Sequence, residues 1–111
     1  MLSQKLPHRV TFGEMVETKG AGGVVSRDFV KRHECAAKMI YARGNETVEA
    51  ARLEGRAIYK VKVISCMAAR SVTSDWRMRD ARSGEEYAII EVDKVTDPEW
   101  VYVVVEQGNE T

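Results

Sequence analysis

The chain has 111 residues, 17 of them lysine or arginine and 17 aspartate or glutamate, so its formal net charge is zero. That length makes one domain burying roughly two-thirds of the surface its unfolded form exposes, and the charge balance excludes a basic footprint for duplex DNA spread over the whole chain. No apolar run approaches the roughly 20 residues of a membrane helix, and Met1–Pro7 lacks the apolar stretch of a secretory signal, so the expectation is a protein of a cytoplasm-like compartment, with no membrane contact and with Cys35 and Cys66 as reduced thiols.

Strand patterns dominate. His8 to Val16 alternates at Val10 and Phe12 and then slips phase to Met15 and Val16. Glu17 to Gly23 reads as a mobile loop, with Gly20, Gly22 and Gly23 beside Lys19. A second strand is expected from about Phe29 to Ala42, with His33, Cys35, Ala37, Met39 and Tyr41 on one face, and a third from Ala57 to Cys66. Between them lies one short helix. Asn45 can cap it, Glu46 and Glu49 suit the positive end of its dipole, and Gly55 can close it. Its stripe is poor: Val48 and Ala51 share a face, while Ala50 and Leu53 lie near the opposite one. A helix this short is marginal alone in water and needs a partner surface. Trp76 to Arg82 forms a fourth strand, turning at Ser83-Gly84 into a fifth, Glu85 to Val95. After a turn at Asp97-Pro98, Val101 to Glu106 has the β-branched and aromatic composition of a buried strand. The fold class is mainly β, a small antiparallel barrel or sandwich of about six strands with one short helix between strands 2 and 3. The whole chain, 1–111, is one domain, with flexible ends at 1–5 and 107–111.

Catalytic chemistry needs converging ionisable groups, and the chain offers few. His33, Cys35 and Cys66 make at most a three-ligand set without a CxxC clip, and two core thiols with a surface imidazole is the simpler reading. His8 is expected at a solvated strand start. Lys19-Gly20-Ala21-Gly22-Gly23 lacks the Gly-Lys-Ser/Thr ending of a phosphate loop. Arg70, Arg77, Arg79 and Arg82 beside Trp76 admit an alternative, a small OB-like nucleic-acid-binding module. Alternation sets Arg77 and Arg79 on one face and Trp76 and Met78 on the other, which separates the charges from the stacking ring. No enzyme, cofactor or metal is expected.

The order of short motifs resembles the head-tail joining, or head-closure, family of tailed phages, prophages and gene transfer agents. The opening Leu6-Pro7-His8-Arg9-Val10-Thr11-Phe12 is similar to that family's leucine followed by His-Arg-Val-Thr and an apolar residue. Val16-Glu17-Thr18 with Gly22-Gly23, Ala37-Lys38-Met39 with Gly44-Asn45-Glu46, Tyr59-Lys60-Val61-Lys62-Val63, and Gly84 with Tyr87-Ala88-Ile89 follow in the family's order. The departures are Ala36 where a Trp often stands, Tyr41-Ala42-Arg43 without the usual Arg-Pro, and Ser65-Cys66 in place of an Arg-aromatic pair. The resemblance covers roughly residues 5 to 106. It implies a β-barrel that assembles as a homo-oligomeric ring, commonly twelvefold, below a portal or adaptor ring. Such a ring retains packaged DNA without sequence-specific binding and docks a tail-side protein. It also implies assembly in the host cytoplasm and a final place in the virion. The segment between strands 2 and 3 is implied to reach the channel, here with Asn45, Glu46, Glu49, Arg52, Glu54 and Arg56. The flexible-loop contact residues are expected to be Lys19, Gly20, Gly22 and Gly23.

Overall fold

A computed structural model describes residues 6–42 and 46–107, the side chains of 46, 47 and 51 aside. Among the described residues, six strands and two short helices follow in the order β1 (His8–Lys19), β2 (Val25–Tyr41), α1 (Glu46–Leu53), β3 (Ala57–Ile64), α2 (Met67–Arg70), β4 (Trp76–Asp80), β5 (Glu86–Asp93) and β6 (Trp100–Gln107). All pairings are antiparallel, and the sheet closes on itself as a barrel in the order β1-β2-β3-β6-β5-β4. Closure removes most strand edges.

Alternation decides what fills the barrel. Val61 and Val63 of β3 face Val103 and Val101 of β6 in register. Together with Val10, Phe12, Ala37, Met78 and Val105 they are fully buried. Two bulges adjust the closure. The register shifts between Phe12 and Gly13, where the apolar phase of β1 slips, and again between Ile89 and Glu91. The second bulge leaves both Ile90 and Glu91 exposed.

Several boundaries differ from the sequence reading. β1 runs on to Lys19 and β2 starts at Val25, so three of the seven residues of the expected Glu17–Gly23 loop, Glu17 to Lys19, are strand. The loop shrinks to a 3-10 turn at Ala21–Gly23, where Gly22 and Gly23 both hold φ of 80°, a conformation that glycine adopts without strain. Cross-strand pairing overrides the weak β preference of Glu, Lys and Asp in this stretch. β3 ends at Ile64, so Cys66 is not a strand residue. It caps α2, its Sγ accepting from the Ala69 N–H at 3.4 Å. The four-residue α2 was not foreseen. It brings the buried Ala69 against the core, followed by the buried Val72. β4 stops at Asp80 because that carboxylate accepts the N–H groups of Arg82 and Ser83 and opens the turn. β5 ends at Asp93, which likewise accepts from Val95 and Thr96. Gln107 closes β6 instead of belonging to a free end, and residues 1–5 and 108–111 lie outside the described residues.

Candidate functional site

Two projecting elements carry the residues that sequence reasoning singled out. The first is the connection from β2 to β3. Its Asn45 lies outside the described residues. Glu46 opens α1, and among the described side chains of that helix Val48 alone is buried. Val48 packs with Ile58, Ala42 and Val104 in a cluster separate from the barrel interior. Leu53 is 90% exposed and Ala50 is exposed, so this amphipathic face is little used within the chain.

The described charged side chains of that connection, Glu49, Arg52, Glu54 and Arg56, are all paired. Arg52 Nη1 meets the two oxygens of Glu49 at 3.0 and 3.2 Å, and its guanidinium lies 5.8 Å from the centre of the Tyr41 ring. Arg56 bridges Glu54 and Glu106, the latter at 2.8 Å. Those two carboxylates, Glu54 foremost, hold the Arg56 guanidinium's pKa above its ordinary value. The Arg56–Glu106 pair ties the foot of the connection to β6. The element offers no surplus positive charge to a phosphate backbone.

The second element is the β1–β2 hairpin. Lys19, Gly20, Gly22 and Gly23 come together at its tip, where Gly20 N–H donates to Val24 O at 2.6 Å. Val24 and Val25 beside them are 65% and 50% exposed. Sequence reading passed over this valine pair, because nothing in it marked where the strand resumes. Along the hairpin, Glu14 pairs with Arg32 at 2.7 Å and Arg9 with Glu34 at 2.6 Å. The Arg9 guanidinium lowers the Glu34 pKa.

The remaining candidates are structural. His8 is half-buried, and its Nδ1 accepts the Met39 N–H at 3.3 Å, so it ties β1 to β2 and does not stand free in solvent. Cys66 Sγ lies 3.8 Å from His33 Nε2. Both thiols are free and half-buried, and burial, with Cys66 nearby, pushes the Cys35 thiol up to about 11. Among the described residues no three His, Cys, Asp or Glu side chains are grouped to hold a metal ion. On the outer face of β4, the Glu86 carboxylate serves both Arg79 at 3.0 Å and Arg77 at 3.9 Å. The guanidinium of Arg79 lies 4.1 Å from the centre of the Phe29 ring. These two arginines are engaged within the chain, and buried Met78 between them is inward, as alternation requires. A surface depression lined by Ile64, Ser65, Pro98, Glu99 and Trp100 brings together only one ionisable side chain.

Comparison with known proteins matches this architecture. No curated protein sequence matches the chain. A chain from the virion of a native gene transfer agent particle superposes with a TM-score of 0.63 at 17% identity, covering 94% of this chain and 96% of that one. The solution structure of protein SF1141 from Shigella flexneri 2a superposes with a TM-score of 0.70 at 13% identity, over the whole of both chains. At such identities the likeness is one of fold. A family model described as phage head completion protein matches residues 1–108. The chain therefore belongs to the phage head completion protein family, whose members are structural and not catalytic parts of the phage head.

Proposed function

We propose that the protein forms a ring at the joint between head and tail, below a portal or adaptor ring, where it closes the channel, retains packaged DNA and presents a docking face to a tail-side protein. It is made in the host cytoplasm and ends in the virion. The observation that carries this reading is the β2–β3 connection: a helix anchored by Val48, with Leu53 90% exposed and with Glu49, Arg52, Glu54 and Arg56 all paired within the chain. A charge-neutral segment in a channel has little attraction for the phosphate backbone, so DNA passes without adhering. A helix near its stability limit packs when it meets a neighbour and shifts when DNA passes. Ring symmetry repeats each modest contact many times, so no single interface has to be strong.

Electron microscopy of particles from a host lacking the gene tests the reading. Filled or leaking heads beside separate, complete tails are expected, and normal tailed particles would remove the role. A second variant isolates the helix. Ala50→Pro takes away one helical hydrogen bond and clashes with the preceding turn. It should leave the barrel folded by circular dichroism while lowering the yield of tailed, DNA-retaining particles.

A further inference from the structure

The β1–β2 hairpin is much longer than the barrel uses. β1 and β2 pair from His8↔Ala37 to Lys19↔Val25. β4 joins β1 only between Val10 and Glu14, and β3 joins β2 only from Ala37 onward. Met15–Lys19 and Val25–Phe29 therefore form a two-stranded arm outside the barrel, roughly 17 Å long at about 3.4 Å per residue. The molecule measures 54 × 35 × 26 Å, elongated as such an arm requires.

An arm of this kind is incomplete. About half of the backbone N–H and C=O groups on each strand point away from the hairpin partner, and among the described residues no third strand meets them here. Two-stranded ribbons are marginal in water and need a further strand or a packing surface. Neither edge carries a proline or a bulge beyond Gly13 that would block pairing.

We propose that the arm is completed by the next copy of this chain, the outer edge of β1 pairing with the outer edge of β2 of that copy. The proposal rests on the ring reading above. The two edges differ, and each copy presents one of each, so pairing runs head to tail and leaves no edge open once a ring closes. Strand direction fits: β2 runs opposite to β1, and a neighbour's β2 in the same orientation is antiparallel to β1 as well. Charge favours this partner. If the hairpin's own register repeats between copies, Glu17 lies beside Arg27 of the next copy, Met15 beside Phe29, and Lys19 beside Val25. Opposite charges alternate around the ring on one face, and no like charges oppose. A two-fold pairing of β1 with β1 centred on Glu17 would set that carboxylate against itself and leave both β2 edges unpaired.

The test uses particles from a host supplying two variants together, Glu17→Cys and Arg27→Cys. Directly opposed Cβ atoms are close enough for a disulfide. Oxidised particles containing both variants are expected to give a covalent dimer that is lost in particles carrying either variant alone. A dimer from Glu17→Cys alone would overturn the head-to-tail pairing in favour of a two-fold one. Absence of the dimer from mixed particles would overturn the proposal altogether. Should either variant fail to enter particles, cryo-electron microscopy of wild-type particles decides: adjacent arms joined edge to edge are expected, and arms standing apart or lying on another protein overturn the pairing. A joint with no ring of this chain would overturn the proposed function itself, whereas a ring with unpaired arms overturns only this inference.

Discussion

Gly13→Ala tests the packing at the root of the arm. A Cβ built at Gly13 would lie 2.5 Å from the Val30 carbonyl oxygen and 2.7 and 2.9 Å from Cζ and Cε2 of the Phe29 ring. Comfortable separation between carbon atoms is about 3.5–4.0 Å, so the chain has to give by about 1 Å. The ring could swing aside, but the carbonyl belongs to the paired backbone of β2 and cannot. Overpacking of this kind costs about 1–3 kcal/mol. Displacing Phe29 from beneath Arg79 removes a cation–π contact of about 0.5–1 kcal/mol, while the stiffer unfolded chain returns about 0.4–1 kcal/mol. The net is a loss of about 2 kcal/mol, a fall in Tm of about 8 °C at about 4 °C per kcal/mol for this size. Thermal melts followed by circular dichroism, with urea titration for ΔG, measure it. The double variant Gly13→Ala/Phe29→Ala should show no full rescue, because the contact with the Val30 oxygen remains. A melting point for Gly13→Ala equal to or above wild type would refute the reasoning, since only the unfolded-state gain would then be acting.

Val48→Ala removes the buried anchor of α1, so hydrogen exchange should show protection lost across 46–53 while the amides of β3 and β6 keep theirs. The Cys35 thiol and the Tyr87 phenol set an alkaline limit. Burial raises them from 9.0 to about 11 and from 10.0 to about 12. A raised folded pKa stabilises below the unfolded value and loses that contribution as pH climbs through the folded one. Urea midpoints should therefore be insensitive to these two groups below pH 9 and fall between pH 9 and 12, and alkylation of Cys35 should stay slow at pH 7. Lys38 stands directly opposite Lys62 across β2 and β3. Lys38→Glu should raise stability by about 0.2–1 kcal/mol, a gain that shrinks in 1 M salt.

The strand count and the phase slip in β1 were legible because half-buried strands must alternate, and a bulge shows itself as a break in alternation. The poor stripe of α1 was equally plain: Val48 is buried and Leu53 exposed, as the wheel of positions requires. The arm was not legible. Ser26, Arg27 and Asp28 are neither apolar nor β-branched, and a ribbon outside the core has no buried face to imprint a pattern on its sequence. α2 was hidden for a different reason. Four residues are too few for a helical period, and its cap is a cysteine sulfur where Ser, Thr, Asp or Asn would have been the signal. At the candidate sites, the residue types of the β2–β3 connection were readable, but the partners that neutralise them were not, since Glu106 lies 50 positions from Arg56.

β2 joins the two projecting elements. It is 17 residues long, roughly 55 Å if fully extended, with the arm tip at its Val25 end and α1 following its Tyr41 end. Between them β2 is clamped by β1 on one edge and, from Ala37 onward, by β3 on the other. In the proposed ring, a strand held along its length between these two ends would separate two tasks, neighbour pairing at one end and channel contact at the other. Gly13 lies in β1 at the base of the arm, whereas Val48 packs on Ile58 and Val104 outside the barrel interior, and they share no packing neighbour. Their effects on unfolding should then add to within about 0.3–0.5 kcal/mol. The same independence should hold in particles, with Gly13→Ala weakening ring formation and Val48→Ala leaving rings intact but leaking DNA. A double variant whose loss of stability departs from the sum by more than 1 kcal/mol would show the two ends to be coupled through β2, and the barrel would then transmit contact at one end to the other.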